Sequence, residues 1–331
     1  MKRGIIIALI ALMMIPLASC SKTEHDISEY VLEYDIGDKE DFKILQLSDI
    51  HIAAKDDRQR QFDFIAKTVN SDSEVDMIVV SGDLFTFADR KTAKELFNCL
   101  DSFNVPWTVT WGNHDEQCYF SMEWVCKYLS SNGNGKLNNC LFKDIPNDNV
   151  TGYANFAINL MKNNSLFEQV IIMDSNRYQY GKYIGYDYIH QDQIDWYKDL
   201  IDYTKNKYGE YESVMFFHIP LPEWNDAFEL AEANDPSVEV VNPGYKKGED
   251  PSSPLEDLGF FSVIEEKGST KVIGVGHDHV NNAIIKYKGV YLSYCVNTTD
   301  RIYFDPDLLG GRTITISSSH TYSFADITNE Y

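Results

Sequence analysis

Basic residues are scarce in this sequence. Lys and Arg number 29 against 51 Asp and Glu, which gives a formal net charge of −22 over 331 residues. A surface this acidic repels the phosphate backbone of nucleic acids, so binding to a nucleic-acid duplex is not expected. A small phosphorylated substrate remains compatible with the charge, because a local metal site can override the field of the whole protein.

The sequence also lacks a Cys-x-x-Cys pair, internal repeats and low-complexity tracts. Without closely spaced cysteines, a site of the zinc-finger type is excluded. Five cysteines follow Cys20, namely Cys99, Cys118, Cys126, Cys140 and Cys295. This odd number favours small buried residues over a disulfide framework, and a disulfide of Cys118 with Cys126 or Cys140 stays open as an alternative.

The N-terminus has the pattern of a targeting segment. Lys2-Arg3 precedes an apolar run over residues 4–15, which is shorter than the about 20 residues of a membrane-spanning helix. Leu17-Ala18-Ser19-Cys20 follows, and the whole pattern is typical of a secretory signal. An incidental cysteine after a plain signal peptide is the simpler interpretation of Cys20.

Because the segment ends at a cysteine, it resembles a bacterial lipoprotein signal, in which the cysteine is lipidated and becomes the first residue of the mature chain. We therefore expect a signal peptide over residues 1–19 and a lipidated N-terminus with a polar tether over residues 20–41. The protein would then be exported to the bacterial cell envelope, at the periplasmic or cell-surface side, and anchored to a membrane by its lipid.

Apolar runs and helical patterns alternate in the first half of the chain. Runs at 42–48, 77–80 and 105–111 predict strands, and apolar residues at helical spacing over 57–69 and 90–103 predict the helices between them. This order predicts an α/β sheet with a functional site along one edge. No linker divides residues 42–331, so they are expected to form one domain.

Residues with metal or proton chemistry follow five of the apolar runs. Asp49 and His51 are two apart, so they point to the same side of an extended backbone. Each residue alone is compatible with a turn cap or a surface position, but their recurrence at strand ends predicts one shared site. The full set is Asp49, His51, Asp83, Asn113, His114, Asp115, His218, His277 and His279.

In chain order these segments read Asp-x-His, Gly-Asp, Gly-Asn-His-Asp, a single His and Gly-His-x-His, between residues 43 and 280. The pattern resembles the calcineurin-like metallophosphoesterase superfamily, and its layout is similar to the bacterial branch related to purple acid phosphatases. The resemblance implies a four-layer α/β/β/α sandwich of two mixed β-sheets flanked by helices. The sequence departs from purple acid phosphatases at Thr86, where they carry a tyrosine ligand, so iron–tyrosinate ligation is not expected.

The resemblance also assigns ligands to two metal ions. One ion would be held by Asp49, His51 and His279, the other by Asn113, His218 and His277, with Asp83 bridging both. A mixed set of carboxylates and imidazoles suits Mn, Fe, Zn or Co and does not choose among them.

The two catalytic candidates lie next to a ligand in the same segment. The resemblance makes His114 the group near the leaving oxygen, as a general acid or a transition-state stabiliser. Two alternatives are open for Asp115, which either orients His114 or caps the following turn.

The function implied is hydrolysis of phosphate esters by a metal-bound hydroxide, without a covalent enzyme intermediate. Two divalent ions offset by two carboxylates leave about two positive charges, which bind phosphate and lower the pKa of a shared water. Alternatives are a nucleotidase or phosphodiesterase variant of the same chemistry, or a non-catalytic surface binding lipoprotein on the same fold. The last alternative is disfavoured because no ligand position is substituted.

Overall fold

The computed structural model describes residues 26–145, 150–180 and 184–329. The expected signal peptide and Cys20 therefore lie outside the described residues. Within these ranges, no helix combines the length and the apolar character needed to cross a bilayer.

The secondary structure alternates strands and helices through most of the chain. The strands are β1 (Val31–Asp35), β2 (Phe42–Leu47), β3 (Met77–Ser81), β4 (Trp107–Thr110), β5 (Phe156–Lys162), β6 (Ser165–Ile172), β7 (Tyr178–Tyr180), β8 (Ile184–Tyr186), β9 (Ser213–Phe216), β10 (Val238–Val240), β11 (Thr270–Val275), β12 (Ile284–Tyr287), β13 (Val290–Tyr294), β14 (Gly310–Ile316) and β15 (Tyr322–Thr328). The helices are α1 (Arg58–Asn70), α2 (Arg90–Asp101), α3 (Met122–Ser130), α4 (Asn132–Gly135), α5 (Gln191–Tyr208), α6 (Glu223–Glu232) and α7 (Phe260–Lys267). Short 3-10 turns lie at Ile27–Tyr30, Asp115–Gln117 and Pro306–Leu308.

The strands form two large mixed sheets and one separate hairpin. The larger sheet has eight strands in the order β1-β5-β6-β9-β11-β13-β12-β10, and the smaller has five in the order β15-β14-β2-β3-β4. Among the residues that the structure describes, strands β7 and β8 pair only with each other. The expected α/β fold of two mixed sheets with helices is confirmed.

Successive residues of the central strands face two different cores. In β9, Val214 and Phe216 pack in a core shared with the five-stranded sheet and helices α1–α3. Met215, between them, packs with Phe217 in a second core that contains residues of α5, α6 and α7. Because side chains alternate along a strand, the eight-stranded sheet is covered on both faces, and the layers run helices, five-stranded sheet, eight-stranded sheet, helices.

The folded unit begins before residue 42. Residues 31–35 form β1 and pair in parallel with β5, although they fall within the expected tether. Ile27 and Tyr30 just before this strand are buried, and the Tyr30 ring lies 5.8 Å from that of Trp196 in α5. These few apolar side chains give an acidic, polar-looking segment enough buried contact to join the domain.

All five cysteines downstream of Cys20 are free thiols. The alternative of a disulfide from Cys118 is therefore wrong, and burial in the fold accounts for most of these residues instead.

A buried arginine connects the two sheets. Arg312 of β14 is fully buried, and its guanidinium donates to Oδ1 of its cross-strand partner Asp326 at 2.6 and 2.8 Å. The same group donates to the Asn282 carbonyl at 2.9 Å and to the Ser293 hydroxyl at 3.2 Å. Ser293 belongs to β13 of the eight-stranded sheet, so this one side chain joins the two layers.

We expect Arg312→Ala to lower the free energy of unfolding by about 3 kcal/mol, because it leaves Asp326 without its buried partner. Urea unfolding of the purified chain measures the change. Lys91→Ala is the control, since its ammonium lies 3.8 Å from Glu95 at the exposed surface of α2, where an ion pair contributes less than about 1 kcal/mol. A similar small loss for both variants would contradict the role of Arg312.

Candidate metal centre

The nine candidate residues all follow the carboxyl ends of parallel strands. The five-stranded sheet contributes the loops after β2, β3 and β4, which are parallel neighbours. The eight-stranded sheet contributes those after β9 and β11, also parallel neighbours. The loops meet through backbone hydrogen bonds, since the amide of His51 donates to the Asp83 carbonyl at 2.9 Å. Across the two sheets, the amide of His277 donates to the Asp49 carboxylate at 3.1 Å.

The structure brings Asp49, His51 and His279 together as one group able to hold a metal ion, with their donor atoms within 4.8 Å of one another. Nε2 of His279 lies 3.1 Å from Nε2 of His51 and 3.3 Å from Oδ1 of Asp49. All three side chains are almost completely buried.

A second group of the same kind consists of Asp83, His218 and His277. Nε2 of His218 lies 3.1 Å from Oδ2 of Asp83. The same carboxylate oxygen is 3.5 Å from Nε2 of His51 in the first group. Asp83 therefore lies between the two groups, in the position expected of a bridging residue.

Three donor atoms of the site are buried and make no hydrogen bond of good geometry, namely Asn113 Oδ1, His277 Nε2 and His218 Nε2, the last of which only approaches the Asp83 carboxylate at 3.1 Å. Burying an unpartnered polar atom costs about 1–3 kcal/mol, so three in one place call for a ligand. The set of carboxylates, imidazoles and an amide oxygen is one that a divalent ion accepts. The residues present fit a dinuclear metal centre.

The far ring nitrogens of three histidines are each held by a neighbour. Nδ1 of His218 donates to the Ser81 carbonyl and Nδ1 of His279 donates to the Tyr303 carbonyl, both at 2.8 Å. A proton on Nδ1 leaves the Nε2 lone pair free to bind a metal. Nδ1 of His51 lies 2.8 Å from the hydroxyl of Thr86. Thr86 occupies the position at which purple acid phosphatases carry a tyrosine ligand. Here it contacts the candidate ligand His51 through the ring nitrogen that faces away from the metal site.

Four candidate residues adopt a strained backbone. Asp49, His51, Asp83 and His277 have φ values of 57°, 50°, 50° and 79°, in the left-handed region that costs non-glycine residues about 1–3 kcal/mol. Close packing also constrains Gly112, since a Cβ there would overlap the Asp83 carboxylate. The turns after these strands are therefore shaped to bring donor atoms together at the expense of local stability.

Burial and charge set the protonation of the site in opposite ways. Burial disfavours the cationic ring and lowers the pKa of both His51 and His277 to about 3. Burial also opposes a charged His218, but the adjacent Asp83 carboxylate dominates and raises the pKa of His218 to about 10. The pKa of Asp83 is held well below its usual range, since neighbouring His218 and His51 outweigh the effect of burial. The carboxylates thus attract positive charge to this point.

His114 lies beside the two groups and not within either. Its half-buried ring packs edge-on against His51 with centroids 5.1 Å apart. Its backbone amide donates to Asp83 Oδ1 at 2.8 Å, and its Nδ1 lies 2.9 Å from Oε1 of Gln117. This location leaves the ring next to the candidate metal site without making it a ligand.

The side chain of Asp115 is bonded to the backbone of two loops. Its fully buried carboxylate accepts hydrogen bonds from the amide of Gly112 at 2.8 Å and from that of Phe85 at 2.9 Å. These bonds fix the loops after β3 and β4 relative to each other. The contacts show neither of the two alternatives, because this carboxylate bonds neither the His114 ring nor an amide of the turn that follows. Gln117 contacts that ring instead, because the 3-10 turn beginning at Asp115 carries it back over His114.

The segment over residues 234–257 packs beside the His277–His279 turn. The amide of Ser252 donates to the carboxylate of Asp278 at 3.2 Å, and the hydroxyl of Tyr303 donates to Glu249 at 2.8 Å. The ring of Tyr303 stacks on that of His279, with centroids 4.3 Å apart.

Sequence reasoning missed several side chains that support the site. They come from loops and from the separate hairpin, and none carries a local pattern that distinguishes it from an ordinary surface residue. These residues are Gln117, Tyr178, Tyr186 and Tyr303. Thr86 stands out in the sequence because it replaces a tyrosine, but its contact with His51 could not be predicted.

Comparison with known proteins agrees with this geometry. The sequence profile of the family described as calcineurin-like phosphoesterase matches residues 42–281. A probable inactive purple acid phosphatase 29 from Arabidopsis thaliana is 27% identical over 292 residues, which cover 77% of this chain and 71% of that protein. Phosphatase DCR2 from Saccharomyces cerevisiae is 27% identical over 279 residues, 75% of this chain and 46% of the yeast protein.

Among solved structures, a dimetal phosphatase from Danio rerio superposes with a TM-score of 0.48 at 16% identity, covering 83% of this chain and 95% of that chain. The match to the family profile extends over well more than half of the sequence and includes every candidate metal-site residue. The chain therefore belongs to the calcineurin-like phosphoesterase family.

Proposed function

We propose that this protein hydrolyses phosphate esters with two metal ions as cofactors. The observation that carries the proposal is the pair of adjacent, buried Asp/His groups whose unpartnered donor atoms converge between the two sheets. Membership of a phosphoesterase family supports it independently. The bound partner would be a phosphorylated small molecule.

The seven proposed ligands are divided between two metal ions. Asp49, His51 and His279 would hold the first ion, Asn113, His218 and His277 the second ion, and Asp83 would contact both. When bound, the two ions supply positive charge that attracts phosphate and lowers the pKa of water. Since the histidines and the asparagine are neutral ligands, only two carboxylates offset that charge, and the site can attract a phosphate although the whole chain is acidic.

His114 is the proposed proton donor to the leaving oxygen. It is the half-buried imidazole beside both groups, and its Nδ1 is engaged by Gln117. With Nδ1–H bonded to the Gln117 oxygen, the protonated ring carries its transferable proton on Nε2. That proton would move to the ester oxygen as its bond to phosphorus breaks, leaving a neutral alcohol and a neutral imidazole.

Some relatives have names that describe them as probable inactive proteins. In this chain all seven proposed ligands are present and lie in two compact groups or beside them. We therefore favour an active hydrolase over a binding lipoprotein on the same fold. A panel of phosphate monoesters, nucleotides and diesters would separate the nucleotidase and phosphodiesterase variants.

We expect the purified chain, loaded with Mn²⁺ or Fe²⁺, to hydrolyse aryl phosphates and to lose that activity in EDTA. His114→Ala should keep both metal ions but lose about 10²–10⁴-fold in turnover, because only the proton donor is removed. Asp83→Ala should lose metal, because it removes the carboxylate between the two groups. Metal per chain by elemental analysis, measured beside turnover, checks both expectations.

His320→Ala serves as the control, because it removes an imidazole that contacts Glu168. His320 lies in the turn between β14 and β15, beside the start of β2, whereas Asp49 follows the other end of that strand. This variant should retain metal and turnover. Equal metal loss in His114→Ala and Asp83→Ala would refute their separate roles. A wild-type chain that neither retains metal nor cleaves any ester would refute the proposed function.

The proposal extends to location, on the strength of the N-terminal sequence pattern. Lipidated Cys20 would anchor the domain to a membrane of a bacterial envelope, on the far side from the cytoplasm. We expect Cys20→Ala to move the expressed protein from the membrane fraction to the soluble fraction, as followed by immunoblotting. Cys99→Ala, which alters a cysteine within the domain, should stay with the membrane. Unchanged membrane retention of Cys20→Ala would count against the anchor.

A further inference from the structure

The hairpin of β7 and β8 touches the metal centre through two tyrosines. The hydroxyl of Tyr178 accepts a hydrogen bond from Asn113 Nδ2 at 2.8 Å. The ring of Tyr186 packs edge-on against that of His277 with centroids 4.4 Å apart, and the two tyrosine rings stack at 5.5 Å. Asn113 and His277 are both proposed ligands of the second ion, so the hairpin packs against that half of the metal centre.

The amide of Asn113 can turn in two ways, because its oxygen and nitrogen ends have nearly the same shape. Only one orientation presents oxygen to a metal ion. In the structure Tyr178 takes the nitrogen end, and Oδ1 is left buried without a partner. A tyrosine hydroxyl can bond either end of an amide, but only acceptance from Nδ2 leaves Oδ1 available to a metal ion. Resting on the proposed function, we infer that Tyr178 is a positioning residue that holds the Asn113 side chain with its oxygen toward the second ion.

Tyr178→Phe tests this inference by removing only the hydroxyl. We expect the affinity of the second ion to fall by about 10-fold and that of the first to stay unchanged, because only one ligand loses its orientation. Calorimetric titration of Mn²⁺ into the metal-free chain measures both sites. Turnover at saturating Mn²⁺ should return to the wild-type value, which a general structural defect would not allow.

Tyr186→Phe is a matched control, since its contact with His277 is made by the ring and survives loss of the hydroxyl. Asn113→Ala removes the whole amide that Tyr178 contacts, so adding Tyr178→Phe to it should cause no further loss of affinity. Wild-type affinity in Tyr178→Phe, or equal losses in both Tyr→Phe variants, would overturn the inference alone. A wild-type chain that binds no metal would overturn the proposed function as well.

A second observation concerns two exposed aromatic residues in loops that adjoin the site. Phe87 is 54% exposed and Tyr119 is 71% exposed. Their loops are joined, because the amide of Tyr119 donates to the carbonyl of Ala88 at 2.8 Å. Thr86, next to Phe87, contacts His51, and Gln117, two residues before Tyr119, contacts His114. Each exposed ring therefore belongs to a loop whose neighbouring side chain contacts His51 or His114.

Phe87 also has a φ of 53°, in the left-handed region where a bulky side chain is a clear outlier. An exposed ring recovers little of that cost by burial, and such strain is concentrated at ligand-contacting positions in proteins. Again resting on the proposed function, we propose that Phe87 and Tyr119 form a subsite for an apolar or aromatic alcohol, the leaving group of the ester.

Phe87→Asn separates this role from a structural one, because Asn tolerates the left-handed region. We expect the melting temperature to rise by about 2 °C while kcat/KM for phenyl and hexyl phosphate falls by about 5- to 10-fold. Glycerol phosphate, whose alcohol is polar, should be cleaved as by the wild type. Tyr119→Ser should lower the same two specificities without raising the melting temperature.

A fall for phenyl phosphate alone would narrow the subsite to aromatic rings. Equal effects on all three esters, or no effect on any, would overturn the subsite. Failure of the wild-type chain to cleave these three monoesters and every nucleotide and diester of the wider panel would instead overturn the proposed function.

Discussion

The structure depends on two buried carboxylates, which require positive charge close to them. Asp49 and Asp83 are almost fully buried, and each lies within 4 Å of histidines from both sheets. Charges so poorly solvated are stable only beside compensating cations. The rings of His51 and His277 are kept neutral by burial, whereas the carboxylates raise the pKa of His218 and His279 and so favour a proton there. Positive charge, as protons or as metal ions, is therefore drawn to this point.

The fold meets this constraint by joining two sheets at one edge. One carboxylate follows β2 and the other follows β3, while the histidines that face them come from β9 and β11 of the opposite sheet. The distance of 3.1 Å from Asp83 to His218 is therefore set by the packing of whole layers. Arg312, far along the chain from either residue, bonds both of these layers.

The sequence predicts the centre better than its surroundings. Asp49, Asp83 and His277 could be found because each follows an apolar run, and parallel strands deliver their ends to one edge. The edge strand β1 was missed because its burial comes from partners in β5 and α5 that no local pattern reveals. The same holds for Tyr178, whose hairpin pairs with neither sheet. For Asp115, the residue was found but its partners, two backbone amides, depend on the turn geometry.

The free cysteine thiols bear on how the domain responds to oxidants. Burial raises the pKa of Cys99 to about 11 and that of Cys118 to about 12. Fewer than about one in a thousand of these groups is then a thiolate at neutral pH, and thiolate is the form that oxidants attack. The described part of the chain, held together by two apolar cores and a buried arginine, therefore draws none of its cohesion from disulfides.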